Sequence, residues 1–520
     1  MIRTRICQHY IDFSSALQDR KTTIQQGNPL AMANTTTTNG AAAGNHAGNE
    51  SGRDHIVVFP FMAKGHTLPL LHFATALSSH PRIRLRVTVV TTPANLAFAR
   101  IRLPSSVRLA VLPFPSLPPL PPGIESTDAL PSASLFPAFL RATALLEEPF
   151  AAFMASLGPS PPLALVSDFF LGFTLRAAAD AGARRVVFHG MSCFSMAICK
   201  SLMANPPPRP PAPGDGGSFH VARMPERVRM TAEEVPETIA RMCNLEAPMT
   251  RFVIDHIGDS DTRSWGMLVN SFASLDEDYV AALESFYQPG ARAWLVGPLF
   301  LAAGVGDMEE QDPEGCLSWL DGRAAGSVVY VSFGTQAHVA DEQLDELARG
   351  LVGAGHPFLW AVRSDTWAAP PVDLGPDGRI VRGWVPQRSV LAHPAVGGFL
   401  SHCGWNSTME SLAAGKPILA WPMLAEQKLN AKYIAEFIGA GVKMNANGGM
   451  GRADEVERKV RRLMDGGSKE GRRMRERAAW AQQAANSAVS DGGTSQLALL
   501  ELVNELQGTY CDVIAQKNKC

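Results

Sequence analysis

The chain has 520 residues, 46% hydrophobic and 18% charged, with a formal net charge of −2. That length exceeds a single ordinary core and points to two domains. The balanced charge gives no electrostatic reason to expect nucleic acid or an anionic membrane as partner, and no run of about 18 uninterrupted apolar residues is present to form an integral membrane segment. The eight cysteines (Cys7, Cys193, Cys199, Cys243, Cys316, Cys403, Cys511, Cys520) show no C-x-x-C pair and no zinc-like spacing with histidine. Free thiols in a reducing cytosol, and so a cytoplasmic protein, are expected.

Residues 1–53 include ANTTTTNGAAAGNHAGNESGR, too poor in apolar side chains to bury, and read as a disordered extension. Arg3, Arg5 and Arg20 have the look of a transit peptide, but Asp12 and Asp19 argue against one. A first strand is expected at 55–59 (HIVVF) and a helix at 68–79. The turn at Lys64 and Gly65 places His66 just before that helix, with Pro69 in its first turn. A helix N-terminus disfavours imidazolium, which would keep the ring available as a base near neutral pH. Taken alone, such a histidine is as well read as a cap or a surface residue.

Further strands are expected at 84–91 and 107–112, followed by a Pro-rich surface connection and a long helix over 135–157. The run 163–167 (LALVS) reads as a buried strand with Asp168 at its carboxyl end, where an aspartate can cap the next helix or serve a site. After a strand at 185–189, GMSCF misses the G-x-S-x-G nucleophile pattern because Phe194 stands where the last glycine belongs. Phe169, Met191, Phe194 and Met196 are candidates for a small-molecule pocket or for core packing. Residues 205–218 (NPPPRPPAPGDGGS) read as a flexible loop, and 266–270 and 294–296 as strands that complete a first domain.

A linker at 299–315 leads into a second domain with a helix at 316–320, strands at 328–332 and 358–362, and two basic helices within 453–487 whose arginines form a solvated face. The turn FGTQ at 333–336 puts Gly334 and Thr335 where a small backbone and a hydroxyl can meet phosphate. Within 384–427 (WVPQRSVLAHPAVGGFLSHCGWNSTMESLAAGKPILAWPMLAEQ), a strand at 396–401 turns into a helix that stops at Gly415. His402, Asn406 and Ser407 then sit at a helix N-terminus, whose free N–H groups and dipole suit an anion. Glu410 is one turn along. Glu426 and Gln427 follow the strand at 418–421, at the sheet edge where open parallel sheets bind ligands.

Over the whole of 384–427 the chain resembles the sugar-nucleotide signature of plant secondary-product UDP-glycosyltransferases, and the resemblance extends from about His55 to about Gln507. It implies a GT-B fold of the α/β class: two Rossmann-like domains with parallel sheets facing across a cleft. An acceptor-binding domain would span 54–298 and a UDP-sugar-binding domain 316–488. A helix at 489–507 would pack back on the first domain, and 508–520 would be a disordered tail. The family begins just before its first strand, so Met32 is expected to be the working start. By resemblance, Trp384 would stack on uracil, Val385 and Gln387 would read uracil and ribose, and Glu410 would hold the ribose hydroxyls. His402, Asn406 and Ser407, with Gly404 among the donor contacts, would bind the diphosphate, and Thr335 would add a second phosphate contact. Trp405, Glu426 and Gln427 would contact the sugar. A closing Gln goes with glucose in the family, so Gln427 favours UDP-glucose. Many members carry Asp where this chain has Glu426, and the longer side chain leaves other UDP-sugars open.

The same resemblance makes His66 the catalytic base and Asp168 its partner, with Phe169, Met191 and Phe194 near the acceptor. The implied reaction is an inverting displacement that yields a β-glucoside, with UDP-glucose as co-substrate and no permanently bound cofactor. No Asp-x-Asp occurs within 384–427 to hold a metal beside the donor, and none is demanded. A monomer is expected. The rival from another class is a catalytically silent sugar-nucleotide binder on the same fold. The acceptor, whether flavonoid, other phenolic, terpenoid or hormone, is not named by any motif.

Overall fold

Aliphatic runs without polar alternation are stable only when covered on both faces, which is the condition of a parallel sheet flanked by helices. The computed structural model describes residues 54–508 apart from 159–160, 207–216, 243, 245, 305–311, 338, 365, 369–371 and 445–450. The expected extension at 1–53 with its Met32 start, most of the loop at 205–218, the centre of the linker and nearly all of the tail lie outside the described residues.

The first half of the chain supplies strands β1 (His55–Phe59), β2 (Arg86–Thr91), β3 (Arg108–Val111), β4 (Ala164–Asp168), β5 (Arg184–Phe188), the hairpin β6 (Ser218–His220) and β7 (Arg229–Thr231), then β8 (Gly266–Val269) and β9 (Arg292–Leu295). Apart from the hairpin they form one parallel sheet in the order β3-β2-β1-β4-β5-β8-β9. The second half supplies β10 (Val328–Ser332), β11 (Phe358–Ala361), β12 (Gly378–Val381), β13 (Val396–Ser401), β14 (Ile418–Ala420) and β15 (Gly441–Lys443). These form a second parallel sheet, β12-β11-β10-β13-β14-β15. In each sheet the strand order reverses once, between β1 and β4 in the first and between β10 and β13 in the second. A crevice opens beside the carboxyl ends of the strands at such a reversal.

Four helices of the first half matter below: α1 (Lys64–Ser79), α2 (Phe136–Ala144), α3 (Glu147–Ser156) and α4 (Cys193–Ala204). The single helix expected at 135–157 is thus two. Pro149 has no N–H to donate to the Leu145 carbonyl, so the chain breaks there and Pro149 falls in the first turn of a new helix, where its missing donor costs nothing. Helix α1 starts four residues earlier than expected, which places His66 inside its first turn and Pro69 in its interior. The hairpin and the short strands β12 and β15 were not anticipated.

The second half adds α5 (Gln387–Ala392), α6 (Trp405–Ala413), α7 (Gln427–Lys432), α8 (Lys469–Val489) and α9 (Thr494–Leu506). Helix α9 lies against the first sheet: Leu499, Leu502, Val503 and Leu506 share a core with Val58, Val186, Leu268 and Trp294. Arg292 on β9 pairs with Glu501 and Glu505. A second core runs without interruption from Phe194 and Tyr279 in the first lobe to Trp405, Tyr433 and Ala478 in the second. The two sheets are therefore held by shared apolar packing as well as by the chain.

Leu502 is fully buried in the core under α9. Leu502→Ala should lower the unfolding free energy by about 2–5 kcal/mol, read by chemical denaturation.

Candidate active site

His66 follows β1 and Asp168 ends β4, and these strands are paired neighbours, with Val58 opposite Val166 and Phe59 opposite Ser167. Residues 102 apart in sequence are thereby brought into contact: His66 Nδ1 lies 2.7 Å from Asp168 Oδ2. The carboxylate is fully buried, and the His66 side chain is 23% exposed. The other oxygen, Oδ1, accepts the Phe170 N–H at 3.0 Å, which fixes the rotamer. With Nδ1–H donating to Asp168, Nε2 is the ring's basic atom. Phe61, Phe169 and Phe170 surround the imidazole at ring centroid distances of 5.8, 6.3 and 5.6 Å.

Burial by itself pushes the His66 pKa down, but the charge and hydrogen bond of Asp168, with a smaller contribution from Glu426, outweigh it, and the net shift is upward from 6.5. This reverses the sequence expectation that the helix N-terminus would keep the ring neutral. The dipole of one helix end is weaker than a hydrogen-bonded carboxylate.

Pro69 has a further consequence. Without an N–H it cannot bond the Gly65 carbonyl, four residues back in α1. That carbonyl accepts instead from Asn406 Nδ2, at the start of α6 in the other lobe, at 2.7 Å. The opposite cleft wall is therefore fastened one residue from His66.

On that wall the His402 ring is wedged between two glycines. A Cβ on Gly334, which has φ +75°, would come within 2.7 Å of His402 Nε2, and one on Gly404 within 2.5 Å. Burial lowers the His402 pKa to about 4, so the ring is neutral at physiological pH. Its Nδ1 is buried and has no partner among the described residues. Helix α6 starts at Trp405 with no side-chain cap from Gly404, so its leading N–H groups are available to an anion. Thr335 is half-buried in the turn after β10, across the strand reversal from His402.

Gln387 Nε2 donates to Glu410 Oε2 at 2.7 Å and to Ser407 Oγ at 3.0 Å, and its Oε1 accepts from Tyr330 OH at 3.2 Å. These residues form one polar cluster; nearby in sequence Trp384 is 39% exposed and Val385 is buried. Glu426 Oε1 accepts from Asn430 Nδ2 at 3.0 Å. Burial raises the Glu426 pKa, while hydrogen bonds and the nearby His66 act in the opposite sense. Gln427 is buried, and its Oε1 caps the turn by accepting the Met423 and Leu424 N–H groups, each at 2.9 Å.

Two of the expected site residues have buried side chains. The Trp405 ring is buried in the interlobe core with Nε1 donating to Asn270 O at 2.8 Å. Phe194, expected at the acceptor, is fully buried and stacks on Tyr433 at 4.4 Å. Phe169 is half-buried, stacked on His189 at 4.6 Å, and Met191 is half-buried against the interlobe core. Sequence reasoning missed Phe61, Phe170, Asn430 and the Pro69–Gly65–Asn406 link. For Asn430 the signal was its spacing, four residues beyond Glu426 across the start of a short helix.

A family model described as UDP-glucoronosyl and UDP-glucosyl transferase matches residues 296–475. Over 486 residues the chain is 34% identical to a scopoletin glucosyltransferase of Nicotiana tabacum, covering 88% of this chain and 99% of that protein. It is also 34% identical over 488 residues to an anthocyanin 3'-O-beta-glucosyltransferase of Gentiana triflora, covering 87% and 98%. The chain belongs to the plant UDP-glycosyltransferase family. Among solved structures, UGT73P12 of Glycyrrhiza uralensis, complexed with glycyrrhetinic acid 3-O-monoglucuronide, superposes with a TM-score of 0.75 at 28% identity, covering 90% of this chain and 98% of that one. UGT2 of Phytolacca americana, complexed with UDP-2fluoro-glucose and pterostilbene, gives 0.72 at 28% identity, covering 87% and 100%. The fold is GT-B, and the enzyme is a UDP-glycosyltransferase. Among the described residues no helix is long and apolar enough to cross a membrane.

If neutral His66 is the working form, kcat/KM should rise with pH through a midpoint above 6.5. In Asp168→Asn the raising charge is gone and burial dominates, so the midpoint should fall below 6.5 while the plateau drops on the order of a hundredfold or more. A pH–rate profile of both proteins checks the shift and its sign.

Proposed function

We propose that this enzyme transfers glucose from UDP-glucose to a hydroxyl of a small apolar plant metabolite by an inverting displacement, giving a β-glucoside. The observation that carries the reading is the Asn406–Gly65 hydrogen bond of 2.7 Å. It sets the start of α6, the natural seat for a diphosphate, beside the residue that precedes the charge-paired His66.

In this reading His66 Nε2 takes the proton from the acceptor hydroxyl, and the oxygen attacks the anomeric carbon from the face opposite UDP. Asp168 holds the ring and stabilises the imidazolium as it forms. Negative charge grows on the departing diphosphate and is met by the N–H groups of α6, by Asn406 and Ser407, and by Thr335 from the turn after β10. Trp384 offers its exposed face to uracil, and the Gln387–Glu410 pair offers acceptors to the ribose. Glu426 and Gln427 receive the sugar, and Gln427 favours glucose. Phe169 and Phe170, both half-buried beside His66, suit a flat aromatic acceptor, which the relatives named for scopoletin and anthocyanin support.

His66→Ala should reduce turnover of UDP-glucose by about 10²–10⁴-fold while UDP affinity, read by calorimetry, changes little. Undiminished turnover would contradict the assignment. Proton NMR of the wild-type product should show the large anomeric coupling of a β-glucoside.

A further inference from the structure

We infer that Asn430 is the positioning residue that aims Glu426 at the donor sugar, and that it is itself set from the acceptor lobe by Ser195. The inference rests on the reading of Glu426 as a sugar contact.

Asn430 and Ser195 are both fully buried. The Ser195 hydroxyl, on α4 of the first lobe, donates to Asn430 Oδ1 at 2.7 Å. Asn430 Nδ2 then donates to Cys403 O at 2.8 Å and to Glu426 Oε1 at 3.0 Å. A carbonyl and a carboxylate can only accept, so the amide cannot be flipped without losing both bonds. Every hydrogen-bonding atom of this buried amide is thus used, and each direction is determined.

The amide's two acceptors adjoin backbone strain. Cys403 has φ +65° and Ala425, immediately before Glu426, has φ +52°. Non-glycine residues adopt this region at a cost and hold it only where the surroundings fix them. Asn430 bonds the carbonyl of the first strained residue and the side chain that follows the second, tying the turn before α6 to the turn before α7. The anchor across the cleft is firm: beside Ser195, Phe194 stacks on Tyr433 at 4.4 Å, and Asp276 accepts both the Cys193 N–H at 2.8 Å and the Tyr433 hydroxyl at 3.2 Å. Sugar selection by Glu426 therefore depends on a residue of the opposite lobe.

The test compares UDP-glucose, UDP-galactose and UDP as probes on the full chain. Asn430→Asp keeps the volume but replaces the donating amide with a carboxylate that repels Glu426. It should raise KM for UDP-glucose about tenfold and erode the glucose-over-galactose preference by a similar factor, roughly what one charge-assisted hydrogen bond supports. The Kd of UDP and the acceptor KM should stay within about twofold of wild type, on the same hydrogen-bond accounting. Ser195→Ala, which leaves the fold nearly isosteric, should move the same donor parameters about threefold, and less than additively in the Asn430→Asp background. Glu426→Ala separates the two levels of the reading. If it leaves donor KM and sugar preference unchanged, the sugar-contact reading itself fails. If it relaxes the preference while Asn430→Asp and Ser195→Ala do not, Asn430 is not the positioning residue. Loss of UDP affinity in step with UDP-glucose affinity would likewise overturn the inference, since it would mark a structural role alone. Should Asn430→Asp fail to fold, the Ser195→Ala donor kinetics decide.

Discussion

A fully buried carboxylate with a partly exposed imidazole above it is the interaction on which the rest of this molecule depends. Asp168 has lost its water, and the Phe170 N–H and the His66 ring replace the lost hydrogen bonds. The same pairing raises the affinity of His66 for a proton, which is what a base must have at the moment it removes one from a hydroxyl. Neither residue could be placed this way by a local motif. Their meeting requires β1 and β4 to be sheet neighbours at the point where strand order reverses.

The second sheet repeats the device with different chemistry. Its reversal point presents glycines, a neutral histidine and an uncapped helix start, a set suited to holding an anion. Between the two edges runs a seam of mixed character. Part of it is apolar, with Phe194, Trp405 and Tyr433 in one core, and part is polar, with Asn406 on Gly65, Trp405 on Asn270, Gln336 on Thr127 and Ser195 on Asn430. Directional bonds inside an apolar seam fix one register of the lobes, which apolar packing alone would leave loosely specified.

Most of the strands could be read from the sequence because a strand covered on both faces must be aliphatic throughout, as HIVVF, LALVS and VVYVS are. Short edge strands such as GRIV and GVK carry no such signal. The helix at 135–157 was over-extended because apolar content persists through Leu145 and Leu146 while Pro149 quietly removes a donor. The strand-to-helix turn within 384–427 was legible, since an aliphatic run ending in glycine and hydroxyl residues marks where a buried strand hands over to a helix. Aromatic residues were not: Trp405 and Phe194 pack against segments far away in sequence, and no local pattern registers that. The sign of the His66 shift differed for another reason: the pairing with Asp168, 102 residues away, was expected, but the helix N-terminus was given more weight than the carboxylate that in fact decides the shift.

The most direct test of the central claim is a crystal structure with UDP-glucose and a bound phenolic acceptor. The account predicts the diphosphate on the leading N–H groups of α6, the sugar against Glu426 and Gln427, and the acceptor oxygen within hydrogen-bonding distance of His66 Nε2, on the side of the anomeric carbon opposite UDP. A complex in which the sugar lies on the far side of the second sheet, or in which His66 Nε2 is out of reach of the acceptor hydroxyl with the lobes closed, would contradict it.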